Sequence, residues 1–201
     1  MFNNLKQKNK KESGFTLVET LIAVAILSLA IVGLMTILGK GISDTNYAKY
    51  RITASYLAQE GIEYIRNMRD TYVLYGADAS TGWTDFLAKM ALCKTTTSCG
   101  FNDTLSSFDI NSLPGMTVVD CGSGGANCPL FYYPDTGRYS YSSLVSGEGT
   151  PINSGFTRVI HIISVAGSLT EIKVSSTVSW TKNSVPYSIT FSDNLLKWRG
   201  E

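Results

Sequence analysis

The sequence predicts an α+β chain, one long N-terminal helix packed on an antiparallel β-sheet. Three observations carry this: an apolar block near the N-terminus, a helical periodicity behind it, and a period-two alternation near the C-terminus. With 201 residues, 44% hydrophobic and only 16% charged, the chain has material for one globular domain and an appendage, not two full domains.

The first element is a basic leader. Lys6, Lys8, Lys10 and Lys11 against Glu12 give the first fourteen residues a charge of +3, and the chain's formal +1 leaves −2 for the remainder. Charge this local argues for membrane orientation rather than nucleic-acid binding. The apolar block follows from Leu21 to Leu38, interrupted only by Ser28, Gly33 and Thr36. As a helix it reaches about 27 Å, close to the thickness of a bilayer core. Lysines precede it and no comparable cluster follows, so the N-terminus is expected in the cytoplasm and the C-terminal part outside. A conventional cleaved signal fits poorly, because the only Ala-x-Ala near the N-terminus, Ala23-Val24-Ala25, lies inside the apolar block. A plain anchor leaves Glu19 unexplained, since a carboxylate entering hydrocarbon unpaired costs a few kcal/mol and needs a partner or a function.

Gly14-Phe15-Thr16-Leu17-Val18-Glu19 resembles the processing motif of type IV pilins and the related pseudopilins of type II secretion. The likeness covers the leader, the junction and Leu21 to Leu27, roughly the first forty residues. It implies that a prepilin peptidase cuts after Gly14 and that the new N-terminus, Phe15, is methylated. It further implies that Glu19, the fifth residue of the mature chain, meets the Phe15 ammonium of a neighbouring subunit during assembly. Elementary chemistry agrees: glycine lets a peptidase approach the backbone, and cleavage both removes the leader lysines and creates a cation at the membrane edge. The partners implied are the peptidase, other pilin or pseudopilin subunits, an inner-membrane assembly platform and membrane lipid.

Beyond the membrane segment, Ala54, Ala58, Ile62, Ile65, Met68 and Tyr72 recur every three or four residues with Gln59, Glu60, Glu63, Arg66 and Arg69 between them, an amphipathic helix with one face to be covered. Unbroken from Phe15 to about Asp70 it would span about 84 Å, so its first half is expected to protrude. Gly39-Lys40-Gly41 marks a place for bending or, equally, mere tolerance of glycine in a helix. Residues 75–127, rich in Gly, Ser, Thr, Asn and Asp, read as a connecting region with short helices or turns. Phe156 to Val165, Ile172 to Thr181 and Tyr187 to Phe191 read as a three-stranded meander turned at Ala166-Gly167-Ser168 and Lys182-Asn183-Ser184. Leu130 to Tyr133 and Tyr139 to Tyr141, joined by Pro134-Asp135-Thr136-Gly137, add a hairpin. The stem helix would cover the sheet's inner face.

Four cysteines fall as Cys93-x5-Cys99 and Cys121-x6-Cys128. No histidine lies near them and zinc pairs are usually tighter, so disulfides are expected. Three pairings are possible; neighbour pairing, with each small loop contributing about 2 kcal/mol in the chain-entropy model, is preferred. Catalytic motifs are missing. His161, the only histidine, sits inside a predicted strand, and Asp103, Asp109 and Asp120 lack the spacing of a metal loop or a carboxylate pair. No enzyme activity, cofactor or metal is expected. Phe131-Tyr132-Tyr133 with Tyr139 and Tyr141 reads as a ligand platform or, more readily, as aromatic packing.

The resulting plan is a leader at 1–14, a transmembrane and assembly segment at 15–39, an amphipathic stem at 40–72 and an extracytoplasmic head at 73–201. The resemblance implies a filament subunit, most like a minor pilin of the modification type. The alternatives are a type II secretion pseudopilin and, from another class, an adhesive or DNA-binding tip module. The expected location is the bacterial cytoplasmic membrane, crossed once, and then a pilus or periplasmic pseudopilus.

Overall fold

The computed structural model describes residues 14–94, 98–102, 117–122, 125–143, 145, 147 and 149–198. Leader residues 1–13, Asp103 and Asp109 lie outside these residues. The chain divides into two compact units between Ala48 and Lys49.

In the first unit, helix α1 (Leu17–Tyr75, 59 residues) begins and runs through Gly39 and Gly41 without a break in the helix. The apolar side chains from Leu17 to Leu38 are uncovered. The hydroxyls among them turn inward on the helix itself: Ser28 Oγ donates to the Val24 carbonyl at 2.7 Å and Thr36 Oγ1 to the Val32 carbonyl at 2.7 Å. Local satisfaction of this kind lets a helix carry serine and threonine into an apolar surrounding. Among the described residues this is the one helix long and apolar enough to cross a membrane.

The second unit is an α+β head in which the C-terminal part of α1 packs on an antiparallel sheet. Ala54, Ala58, Ile62, Ile65, Met68 and Tyr72 are all buried, joined by Leu57, Gly61 and Val73. They meet the inward residues of β5 (Ile152–Ser164), β6 (Glu171–Lys182) and β7 (Val185–Leu196), which form the meander. Alternation puts Ile160, Ile162, Ile172, Val174 and Leu195 in the core with α1. Strands β6 and β7 pair from Glu171↔Leu196 to Lys182↔Val185. Asn183 and Ser184 close that hairpin, both with positive φ (51° and 63°), as a tight two-residue turn between twisted strands requires. The hairpin β3 (Pro129–Tyr133) and β4 (Arg138–Ser140) joins the other edge of β5.

Three differences from the sequence reading have physical causes. Helix α1 runs on to Tyr75, because Tyr72 and Val73 remain buried there. Strand β5 begins at Ile152: Asn153, Ser154 and Gly155 look like turn residues, yet Ile152 and Asn153 pair with Tyr132 and Phe131 across a register shift, and Gly155 supplies the positive φ of 76° beside it. The region 75–127 is more ordered than a connection. It holds α2 (Ala79–Lys89), a short 3-10 turn (Ala91–Lys94) and strands β1 (Cys99–Asn102) and β2 (Thr117–Asp120). Strand β1 pairs with β2 and, at Cys99↔Ile160, with β5. Four-residue strands show too little alternation to stand out in a polar sequence. The disulfides Cys93–Cys99 and Cys121–Cys128, with Cα separations of 4.9 and 5.0 Å, tie this region together. All four cysteines are buried.

Charged residues on the flank of α1 reach the sheet rather than open water. Arg66 bridges Glu63 and Asp193, each at 2.6 Å, and Arg69 donates to the Leu196 carbonyl at 3.1 Å. Hydrogen bonding to Asp193 leads the causes that raise the Arg66 pKa, against desolvation and with help from Glu63. Trp198 Nε1 donates to Asp70 at 3.0 Å and Lys197 Nζ to Ser80 Oγ at 2.6 Å. The closing Leu195-Leu196-Lys197-Trp198 segment is thus fastened to both helices.

Candidate functional site

The start of α1 gathers the residues of the processing motif into one turn. Gly14, Phe15 and Thr16 precede the helix, and Glu19 lies in its first turn. Thr16 acts as the cap: its Oγ1 accepts from the Glu19 backbone N–H at 3.3 Å, and its carbonyl accepts from the Thr20 N–H at 3.2 Å. A free helix N-terminus has orphan N–H groups and the positive end of the helix dipole, so both the Thr16 hydroxyl and the Glu19 carboxylate suit these positions. Thr16-Leu17-Val18-Glu19 has the T-x-x-E spacing of a capping box. Beyond its expected part in assembly, Glu19 thus stands three residues after the cap, and this spacing is the signal that also fixes where the helix starts.

Exposure at this junction fits a site that other molecules read. Phe15 is 78% exposed, and a side chain added at Gly14 would meet nothing within 4 Å. The chain itself therefore sets no steric demand for glycine at position 14. Hydrolysis of the Gly14–Phe15 amide would turn a neutral nitrogen into an ammonium two residues before Leu17, where α1 begins. That cation would face the positive end of the dipole, and the nearest compensation in sequence is Glu19.

The other candidate residues lie elsewhere. The four cysteines form their two bridges within the head. His161 is half-buried in β5, opposite Ser175 of β6. Asp120 accepts the Gly122 N–H at 2.9 Å in a local turn. Among the described residues no group of three His, Cys, Asp or Glu is placed to hold a metal.

One polar cluster in the head was not foreseen. Arg158 projects from β5 into the interface with α1, its side chain 0% exposed. Its Nη1 donates to Glu60 Oε2 at 2.7 Å and to the Leu57 carbonyl at 3.0 Å, and its Nε donates to the Tyr141 hydroxyl at 2.9 Å. The guanidinium carbon lies 4.5 Å from the Phe101 ring centroid and 4.9 Å from that of Tyr141. Burial opposes the charge, but Tyr141 and Glu60 outweigh it and raise the pKa. Its place was readable: Phe156, Arg158, Ile160 and Ile162 share one face at period two, which puts the arginine among core residues.

Residues 9–35 match the family model of the prokaryotic N-terminal methylation motif, the signature of type IV pilins and pseudopilins. No curated protein and no solved structure matches the chain.

Proposed function

We propose, from the type IV pilin and pseudopilin signature that residues 9–35 carry, that this chain is a structural subunit of a type IV pilus, of the minor-pilin kind. Prepilin peptidase removes residues 1–14 and Phe15 is N-methylated. Residues 15–39 hold the subunit in the cytoplasmic membrane, crossed once with the N-terminus inside, and an inner-membrane platform then draws it into a filament. The amphipathic stem 40–72 links that segment to a head at 73–201, stabilised outside the cytoplasm by its two disulfides. The observation that carries this reading is the junction itself: an exposed Gly14–Phe15 bond, a capped helix start with Glu19 in its first turn, and an uncovered apolar helix surface directly behind. An enzyme needs none of these together.

Mass spectrometry of protein extracted from membranes should find an N-terminus at Phe15 carrying one added methyl group. Because position 14 is sterically open, Gly14→Val should leave the fold intact and still block cleavage, isolating recognition by the peptidase. Intact Met1 in cells with an active peptidase, or normal processing of Gly14→Val, would overturn the assignment. A type II secretion pseudopilin shares the same N-terminal chemistry, and the two part on where the processed chain accumulates: in sheared surface filaments or crosslinked to periplasmic partners.

A further inference from the structure

The tyrosines singled out in the sequence separate into two groups. Tyr133 is buried and donates from its hydroxyl to the Ser142 carbonyl at 3.0 Å, and Tyr141 donates to the Arg158 carbonyl at 3.1 Å. These two serve the core. Tyr132 and Tyr139 are only partly covered, their ring centroids 5.0 Å apart. They line an open cleft of about 550 Å³ together with Thr53, Tyr56 and Glu60 of α1 and with Arg138 of β4. That volume falls within the roughly 300–1,000 Å³ of small-molecule sites.

We propose that this cleft is a saccharide-binding site, taking a pyranose ring of a polysaccharide between Tyr56 and the Tyr132–Tyr139 pair. A pyranose has C–H faces that pack on aromatic rings and an equator of hydroxyls that need both donors and acceptors. The cleft supplies that mixture. Tyr56 is 70% exposed, a large apolar face with no core to fill. The Glu60 carboxylate, half-exposed, is held in place by Arg158, which is itself fixed by Leu57 and Tyr141. An acceptor positioned in this way loses little conformational entropy when a hydroxyl binds. Burial, with Tyr132 and Tyr50 nearby, pushes the Tyr139 phenol up, so it remains a neutral donor. Among the described lining residues Leu57 is the only aliphatic one. A nucleic-acid strand would meet the Glu60 carboxylate.

The test uses the full chain in a sugar-free detergent with three probes: maltohexaose, the hexamer of N-acetylglucosamine, and hexagalacturonate. Saturation-transfer NMR should show ring C–H signals for at least one probe, with affinity in the millimolar range. That affinity should fall at least tenfold in Tyr56→Ala and in Tyr139→Ala, and stay unchanged in Tyr187→Ala, whose ring stacks on Trp180 outside the cleft. Tyr56 is exposed, so its truncation tests the cleft without opening the core, and absence of free thiols verifies the fold. No transfer from any of the three probes to the native chain overturns the proposal, as does unchanged binding in Tyr56→Ala. Self-association lost in Tyr56→Ala without saccharide binding would assign the cleft instead to a second copy of the chain. The cleft shares no residue with the Gly14 to Glu19 junction, so an empty cleft leaves the assembly reading untouched.

Discussion

Arg158 holds a full positive charge with none of its side chain in contact with water, and its surroundings explain how. Two acceptors and a hydroxyl take three of its N–H groups, and two aromatic rings lie against its guanidinium, while Nη2 finds no hydrogen-bond partner among the described residues. Its partners are unequal, because Glu60 is half-exposed and can turn to water if abandoned, whereas Arg158 cannot. Truncating one member of a buried pair costs most when it strands the buried charge. Glu60→Ala is therefore expected to destabilise the head by about 3 kcal/mol, and Arg158→Met, which fills the same space with apolar atoms, by about 1 kcal/mol or less. Urea unfolding followed by near-ultraviolet circular dichroism measures both. A larger loss in Arg158→Met than in Glu60→Ala would show that the arginine's hydrogen bonds, rather than the uncompensated charge, dominate.

At the scale of elements, the contact between α1 and β6 is set by small residues. Ala54, Ala58 and Gly61 lie on the buried face of α1, and a Cβ at Gly61 would collide with Ser176 Oγ while crowding Ile160 Cδ1 at 3.0 Å. Ser176 is fully buried and its hydroxyl has no partner, so that oxygen is a cost the close approach already carries. Gly61→Ala gains helix propensity of about 1 kcal/mol but forces the serine to move. The two changes should couple: Gly61→Ala is expected to be destabilising alone and at least 0.5 kcal/mol less so with Ser176→Ala. A thermal-unfolding double-mutant cycle that comes out additive would mean that the two elements slide apart freely. The buried face of α1 was legible because its apolar residues are frequent and regularly spaced, and the meander because its strands are 12 or 13 residues long. Gly61 and Leu57 broke no pattern and were not marked. Strands β1 and β2 were missed for the opposite reason: their order comes from β2 pairing with β1, from β1 pairing with β5 and from the disulfides, none of which four residues can announce.

For the whole molecule, the N-terminal motif was the most legible part, because its signal is local: a glycine, a phenylalanine and an acid within six residues, inside the stretch that the methylation-motif model matches. The saccharide cleft was not, since Tyr139 lies far along the chain from Tyr56 and Glu60 and joins them only where the β3–β4 hairpin comes beside α1. What joins these parts in the proposed function is assembly, which in that reading turns on Glu19. In the uncleaved chain the carboxylate sits at the positive end of α1, with only neutral backbone preceding it at Phe15. Cleavage adds an ammonium there, and within an apolar bundle of helices that ammonium needs a counter-charge from a neighbouring subunit. Glu19→Val makes the segment more hydrophobic, so membrane insertion should survive. Cleavage should largely survive too, since in the proposed reading recognition rests on Gly14, and the Thr16 cap remains because it uses the backbone N–H of position 19. Incorporation should fall at least tenfold, read by blotting membrane and sheared-surface fractions of cells expressing native and variant chains side by side. For a pseudopilin, crosslinking to partner subunits replaces shearing. A simple membrane anchor has no such dependence, so equal native and variant amounts in the assembled fraction would refute pairing between Glu19 and Phe15 as the force that aligns subunits.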